Sequence, residues 1–127
     1  MILLDSHAYF WWTTDDARLS SAARAAIEDA GLDVYVSAVV AWEISNKVRF
    51  GKWPAAQILV ERFFETLQRY EFMPLPVTLE HAHLAGAMPG RHRDPFDRML
   101  AAQSQIENVP LVTADPVFRA FGTRVLW

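Results

Sequence analysis

Ile2-Leu3-Leu4-Asp5-Ser6-His7-Ala8 decides how the rest of the chain is read. Ile2–Leu4 is an apolar run too short for a helix and reads as a buried strand ending on an acid. Ser6 then begins a helix to Thr13 that is dense in aromatics, Tyr9, Phe10, Trp11 and Trp12. Strand followed directly by helix recurs downstream. Ser20 caps an alanine-rich helix over Ser21–Ala30, stopped by Gly31. Val34–Val36 is a second strand, and Ser37 caps a helix over Ala38–Phe50 closed by Gly51. Pro54 opens a helix over Ala55–Arg69, with Ile58, Leu59, Phe63 and Leu67 at helical spacing. Tyr70–Leu75 is a third strand, and Thr78 caps a short helix through Gly86. After a loop over Met88–Arg93, Asp94-Pro95 starts a strong helix to about Asn108. Leu111–Thr113 is a fourth strand, Asp115-Pro116 begins one helical turn, and Arg124–Leu126 is a candidate fifth strand. The alternation predicts one α/β domain over residues 1–127, a parallel sheet of four to five strands flanked by helices.

Composition is consistent with that. With 52% hydrophobic and 21% charged residues in 127, the chain can bury a core of its own. It has no cysteine, which excludes disulfides, thiolate nucleophiles and thiolate–zinc sites. The opening Met-Ile-Leu-Leu-Asp reaches a charge too early for a signal peptide, and no apolar run is long enough to span a membrane. The expectation is a cytoplasmic protein without a membrane partner. The net charge of −3 argues mildly against nucleic acid. Setting aside Asp5, Glu43, Asp94, Asp97 and Asp115 leaves 10 of the 15 acids against 12 Lys and Arg. An acidic pocket on a mildly basic body is compatible with RNA.

Those acids converge by connectivity. In an open parallel sheet, ligands bind beyond the carboxyl ends of the strands, where strand order reverses. Asp5 ends the first strand and Asp115 lies just past the fourth. Glu43 falls within two turns of the start of the helix leaving the second strand. Asp94 and Asp97 share the first turn of the helix that returns to the fourth strand, three residues apart and on one face. Each also has an ordinary reading. Asp94 and Asp115, each followed by proline, look like helix caps. Glu43 can pair with Lys47 at i+4. Asp5 is harder to explain that way, because a carboxylate at a buried strand end is costly unless satisfied. Together, clustered carboxylates repel and favour a divalent cation. Hard oxygen ligands suit Mg²⁺, with Mn²⁺ as a substitute, and two such ions support phosphodiester cleavage.

Four segments resemble a known family. They are Leu3-Leu4-Asp5-Ser6-His7-Ala8 with Trp11-Trp12; Trp42-Glu43-Ile44 with Lys47 and Gly51-Lys52; His92-Arg93-Asp94-Pro95-Phe96-Asp97-Arg98 with Ala102-Gln103; and Val112-Thr113-Ala114-Asp115 with Phe118. In this order, across nearly the whole chain, they resemble the PIN-domain ribonucleases, and closely the VapC-type toxins of toxin–antitoxin pairs. The resemblance implies a PIN-like fold and a Mg²⁺-dependent endoribonuclease. Asp5, Glu43, Asp97 and Asp115 match the family's acidic quartet, and Asp94 looks like an extra acid that binds metal through water or simply caps its helix. Ser6 and Thr113 stand where hydroxyl residues support the carboxylates. The resemblance further implies a homodimer and a cognate antitoxin that occludes the site.

Other features have two readings each. Lys47, Arg49 and Lys52 could counter RNA phosphates or simply complement a helix C-terminus. His92 and Arg93 could contact phosphate or lie in a solvated loop. Of the four successive aromatics, which tempt a base-stacking reading, at least two must be core, and Phe10 and Trp11 are the expected pair. The four histidines have no metal-ligand spacing. Two non-catalytic alternatives are a Mg²⁺-binding receiver-like module and a PIN-like partner-binding scaffold. The receiver needs an Asp ending the third strand and a Lys after the fifth, where Phe72-Met73-Pro74-Leu75-Pro76 and Val125-Leu126-Trp127 supply neither.

Overall fold

A computed structural model describes residues 1–127. Its centre is a five-stranded, all-parallel sheet of β1 (Ile2–Leu4), β2 (Val34–Ser37), β3 (Met73–Leu75), β4 (Leu111–Val112) and β5 (Val125–Leu126). The spatial order is β3-β2-β1-β4-β5. The chain builds outward from β1 to β3, returns to the other side of β1, and continues to β5. The reversal leaves a crevice beyond the carboxyl ends of β1 and β4, where Leu3 pairs with Leu111 and Leu4 with Val112. Both central strands are wholly buried, so their sequences are continuous apolar runs rather than alternating ones.

The helices are α1 (Ser6–Thr13), α2 (Ser21–Glu28), α3 (Ala38–Arg49), α4 (Gln57–Glu61), α5 (Phe63–Arg69), α6 (Leu79–Ala87), α7 (Pro95–Glu107) and α8 (Val117–Ala120). Local chemistry sets their ends. The side chains of Ser20, Ser37, Thr78 and Asp94 each accept a backbone N–H of the helix that follows. At the end of α3, Gly51 has φ +70°, and the Gly51 and Lys52 N–H groups donate back to the Val48 and Lys47 carbonyls. That reversal needs a residue free of a Cβ.

Three expectations are corrected. The helix expected over Ala55–Arg69 is a 3₁₀ turn, Pro54–Ala56, followed by α4 and α5, with a break at Arg62, whose φ of −116° leaves the helical region. The helix expected to reach Ala30 ends at Glu28, and Gly31 is not in a left-handed conformation. There the Asp29 carboxylate accepts the Gly31 N–H at 2.8 Å, a turn that ends the helix before the glycine. On α1, Tyr9 is fully buried with Phe10, whereas Trp11 is only half-buried. The face carrying Ala8 and Tyr9 is buried, Tyr9 against Phe63 and Phe72, and Trp11 lies off that face. No helix is long and apolar enough to cross a membrane.

Candidate active site

The first acid owes its position to the end of β1. Asp5 caps α1, its Oδ1 accepting the Ala8 N–H at 2.7 Å, and the residue is 6% exposed. Burial pushes its carboxyl up to about 7, with Glu43 and Asp97 adding repulsion, while the Thr113 hydroxyl and the Ala8 N–H pull it back. Thr113 follows β4 and is fully buried; its hydroxyl also accepts the Asp115 N–H at 3.0 Å. Asp115 is exposed, and its Oδ1 accepts the Val117 N–H at 3.0 Å.

Glu43 stands in the second turn of α3 and is 4% exposed, a burial that a carboxylate tolerates only with a partner. Lys47, one turn on, supplies it, with Nζ 2.7 Å from Oε2. Asp97 lies in the first turn of α7. Burial raises its carboxyl to about 6; Asp94 and Glu43 repel it further, and His92 opposes them with Nε2 2.7 Å from Oδ2. Asp94 caps α7 with one oxygen, which accepts the N–H groups of Phe96 and Asp97 at 2.9 and 3.0 Å.

The five acids line one pocket of about 200 Å³, whose wall includes Asp5, Ser6, Glu43, Asp94, Asp97 and Asp115, while Thr113 and His92 support it from outside the wall. Thus four chain segments distant in sequence deliver their acids to the crevice between β1 and β4. Lys47 belongs to the wall as well. Arg49, Lys52 and Arg93 are exposed and lie outside it, with Arg49 bonded to Asn46 and stacked over Phe50. Sequence reasoning passed over His7, which also lines the pocket. The available signal was its position two residues after Asp5, on the first turn of a helix starting at the sheet edge.

The carboxylates of the wall offer hard oxygen donors, two of them raised by burial and further by neighbouring acids, and that chemistry fits Mg²⁺ or Mn²⁺. The acids are gathered into one pocket but not closed into a cage. No three His, Cys, Asp or Glu side chains stand in metal-ligating geometry, with Glu43 turned onto Lys47 and Asp97 onto His92.

Comparison with known proteins agrees with this architecture. Residues 2–123 match the family model of the PIN domain. Ribonuclease VapC22 of Mycobacterium tuberculosis is 30% identical over 125 residues, covering 94% of this chain and 90% of the relative. FitAB bound to an IR36 DNA fragment superposes with a TM-score of 0.69 at 22% identity, over 98% of this chain and 93% of that one. VapBC2 from Rickettsia felis, bound to a DNA fragment from their promoter, gives 0.67 at 14% identity, over 98% and 97%. FitAcB from Neisseria gonorrhoeae gives 0.64 at 22% identity, over 98% and 96%. The chain belongs to the PIN-domain family and is of its VapC type.

Proposed function

We propose that the protein is a metal-dependent endoribonuclease, the toxin of a toxin–antitoxin pair, acting in the cytoplasm. One observation carries the reading. Acids from four separate segments meet in a single pocket at the reversal point of a parallel sheet, in a chain 30% identical to a ribonuclease.

Asp5, Glu43, Asp97 and Asp115 would hold the cation, with Asp94 as a fifth carboxylate that also caps α7. Mg²⁺ or Mn²⁺, when bound, supplies the positive charge that polarises a phosphodiester and makes water nucleophilic at neutral pH. The chain's own residues provide the rest. Burial raises the Asp5 and Asp97 carboxyls in the metal-free chain, and a cation held between them would favour their charged forms. Thr113 holds Asp5 from one side and the backbone of Asp115 from the other, tying two of the ligands together. Lys47 and His92 are the groups positioned to exchange carboxylate for phosphate when RNA arrives.

A cognate antitoxin and a homodimer belong to the same proposal. The FitAB and VapBC2 neighbours, whose fold this chain shares, support a partner protein. The decisive experiment is cleavage of RNA by the purified chain with Mg²⁺, with Mn²⁺ and in chelator. Cleavage with either cation and none in chelator is expected, with Asp5→Ala and Asp97→Ala each reducing the rate at least about a hundredfold, the order of a lost electrostatic stabiliser. Undiminished cleavage by Asp5→Ala would remove that residue from the assignment.

A further inference from the structure

A row of rings leads away from the acidic pocket. His7 and Trp11 stand one turn apart on α1 and so share a face, with ring centroids 5.5 Å apart. On one side, Trp53, from the connection after α3, stacks on His7 at 4.6 Å and 24°. On the other, Trp127 lies 5.7 Å from Trp11. The row Trp53–His7–Trp11–Trp127 meets the pocket wall at His7, its second member. Two cations lie over it. The Lys47 ammonium is 5.8 Å from the Trp53 ring, and the Arg18 guanidinium is 5.3 Å from the Trp11 ring.

Packing accounts for one side of this row, since Trp11, Trp53 and Trp127 rest against the core and Trp53 meets Phe10 edge-on at 5.1 Å. Of the aromatics of α1, Tyr9 is buried against Phe63 and Phe72 and Phe10 is buried with its ring against Trp53. The row is the complementary set. His7 is exposed, and Trp11, Trp53 and Trp127 are half-buried. An imidazole between indoles adds little hydrophobic burial, but it offers both a flat π surface and ring nitrogens to a ligand. Flat rings interleaved with cations, continuous with a site for phosphodiester chemistry, are the elements from which single-stranded nucleic acid is held: bases stack on the rings while the cations track the backbone.

We propose that His7, Trp11 and Trp53 form a stacking platform for unpaired RNA bases next to the scissile phosphate, with Arg18 and Lys47 countering the flanking phosphates. The inference rests on the ribonuclease reading above and adds the residues that grip the bases of the RNA. Duplex RNA, whose bases are already stacked on one another, has no π face to offer the row.

The test uses the full chain carrying Asp97→Asn, in chelator, so that binding is read without cleavage. A mixed-sequence single-stranded RNA oligonucleotide is titrated, with tryptophan fluorescence and anisotropy as readouts. The same strand in a duplex and the same strand carrying abasic sugars are titrated in parallel. Expected are tryptophan quenching by the intact single strand and weaker binding, by roughly five- to hundredfold, of the abasic strand and of the His7→Ala and Trp53→Ala chains. The abasic comparison needs no substitution in the platform, so it stands even where a tryptophan variant folds poorly. Equal affinity for intact and abasic strands, with no quenching, overturns the platform; if the Asp97-intact chain still cleaves RNA, the ribonuclease reading survives. Failure of that chain to bind or cleave any RNA overturns both. Unchanged RNA binding by His7→Ala and Trp53→Ala, with loss of antitoxin binding instead, would reassign the row to the protein partner.

Discussion

Asp5 shows what a single residue is asked to do here. It caps a helix, ends a buried strand and sits within the field of Glu43 and Asp97, and its carboxyl stands at about 7 instead of 3.8. Between those values the folded chain keeps a proton that the unfolded chain has released, so this group makes stability fall as pH rises from about 4 to 7. In chelator, Asp5→Asn is therefore expected to melt above the wild type at pH 7.5, by several degrees, and to match it near pH 4. A calorimetric scan at the two pH values checks this; equal melting at pH 7.5 would mean that burial is not straining the carboxylate. Tyr9 offers a second single-residue prediction. Its ring is fully buried against Phe63 and Phe72, and its hydroxyl finds no hydrogen-bond partner. Tyr9→Phe keeps the ring and removes the orphaned hydroxyl, so urea unfolding should show a gain of about 1 kcal/mol. At this scale much was legible from sequence. Asp5 stood out because a carboxylate ending an apolar strand demands a partner, and Asp94 because acid–proline–acid spacing marks a helix start. His7 did not, since its one signal, a place two residues after Asp5 on the first turn of α1, is positional and not chemical.

Among the elements, α7 does the most to assemble the site. Its first turn presents Asp94 and Asp97, and its second half is anchored from within the core. Gln103, fully buried, accepts a hydrogen bond from the Ser37 hydroxyl at 2.5 Å and reaches the Pro76 carbonyl at 3.3 Å, tying α7 to the ends of β2 and β3. Arg98 fastens the approach to the helix. Its guanidinium donates to the carbonyls of Ala85 and His92 at 2.7 and 3.0 Å, and to that of Met88, gathering the loop that carries His92. Bonds from a charged donor are the stronger kind, so Arg98→Ala is expected to cost about 3 kcal/mol. Hydrogen exchange should speed up over residues 88–93 first, and RNA cleavage should fall with it. Protection unchanged across that loop would show that Arg98 does not hold it. None of this was readable in advance. The helix start followed from local chemistry, but the groups that Arg98 and Gln103 reach are backbone carbonyls, which carry no sequence signature. The same limit explains α4 and α5: the apolar periodicity of Ile58, Leu59, Phe63 and Leu67 describes a continuous face, and the break at Arg62 interrupts the backbone without changing which side is apolar.

At the scale of the whole molecule, a chain of net charge −3 concentrates negative charge in one pocket. A cation that binds there and not to the unfolded chain stabilises the fold by mass action, about 2.7 kcal/mol at a hundredfold excess over its Kd. Mg²⁺ or Mn²⁺ is thus expected to raise the melting temperature of the wild type, and to do so far less for Asp5→Asn, measured by thermal scans across a cation titration. An equal rise in both would place the cation elsewhere.

The sequence by itself determined the order of strands and helices, the caps that start α2, α3, α6 and α7, and the presence of acids at positions that a parallel sheet must bring to its carboxyl edge. These are local matters, set by apolar runs, capping side chains and the rule that a helix between parallel strands begins at one edge and returns to the other. Only the tertiary structure decided that β1 lies between β2 and β4, so that Asp5 and Thr113 become neighbours. It also decided that Trp11 turns outward to join His7 and Trp53 while Tyr9 goes in. The physical reason is that burial is shared. Which face of α1 is buried, and how far each carboxyl is driven from water, depends on every element packed around it. The pocket of five acids was foreseeable as an address; its electrostatic strain and its aromatic approach are properties of the assembled fold.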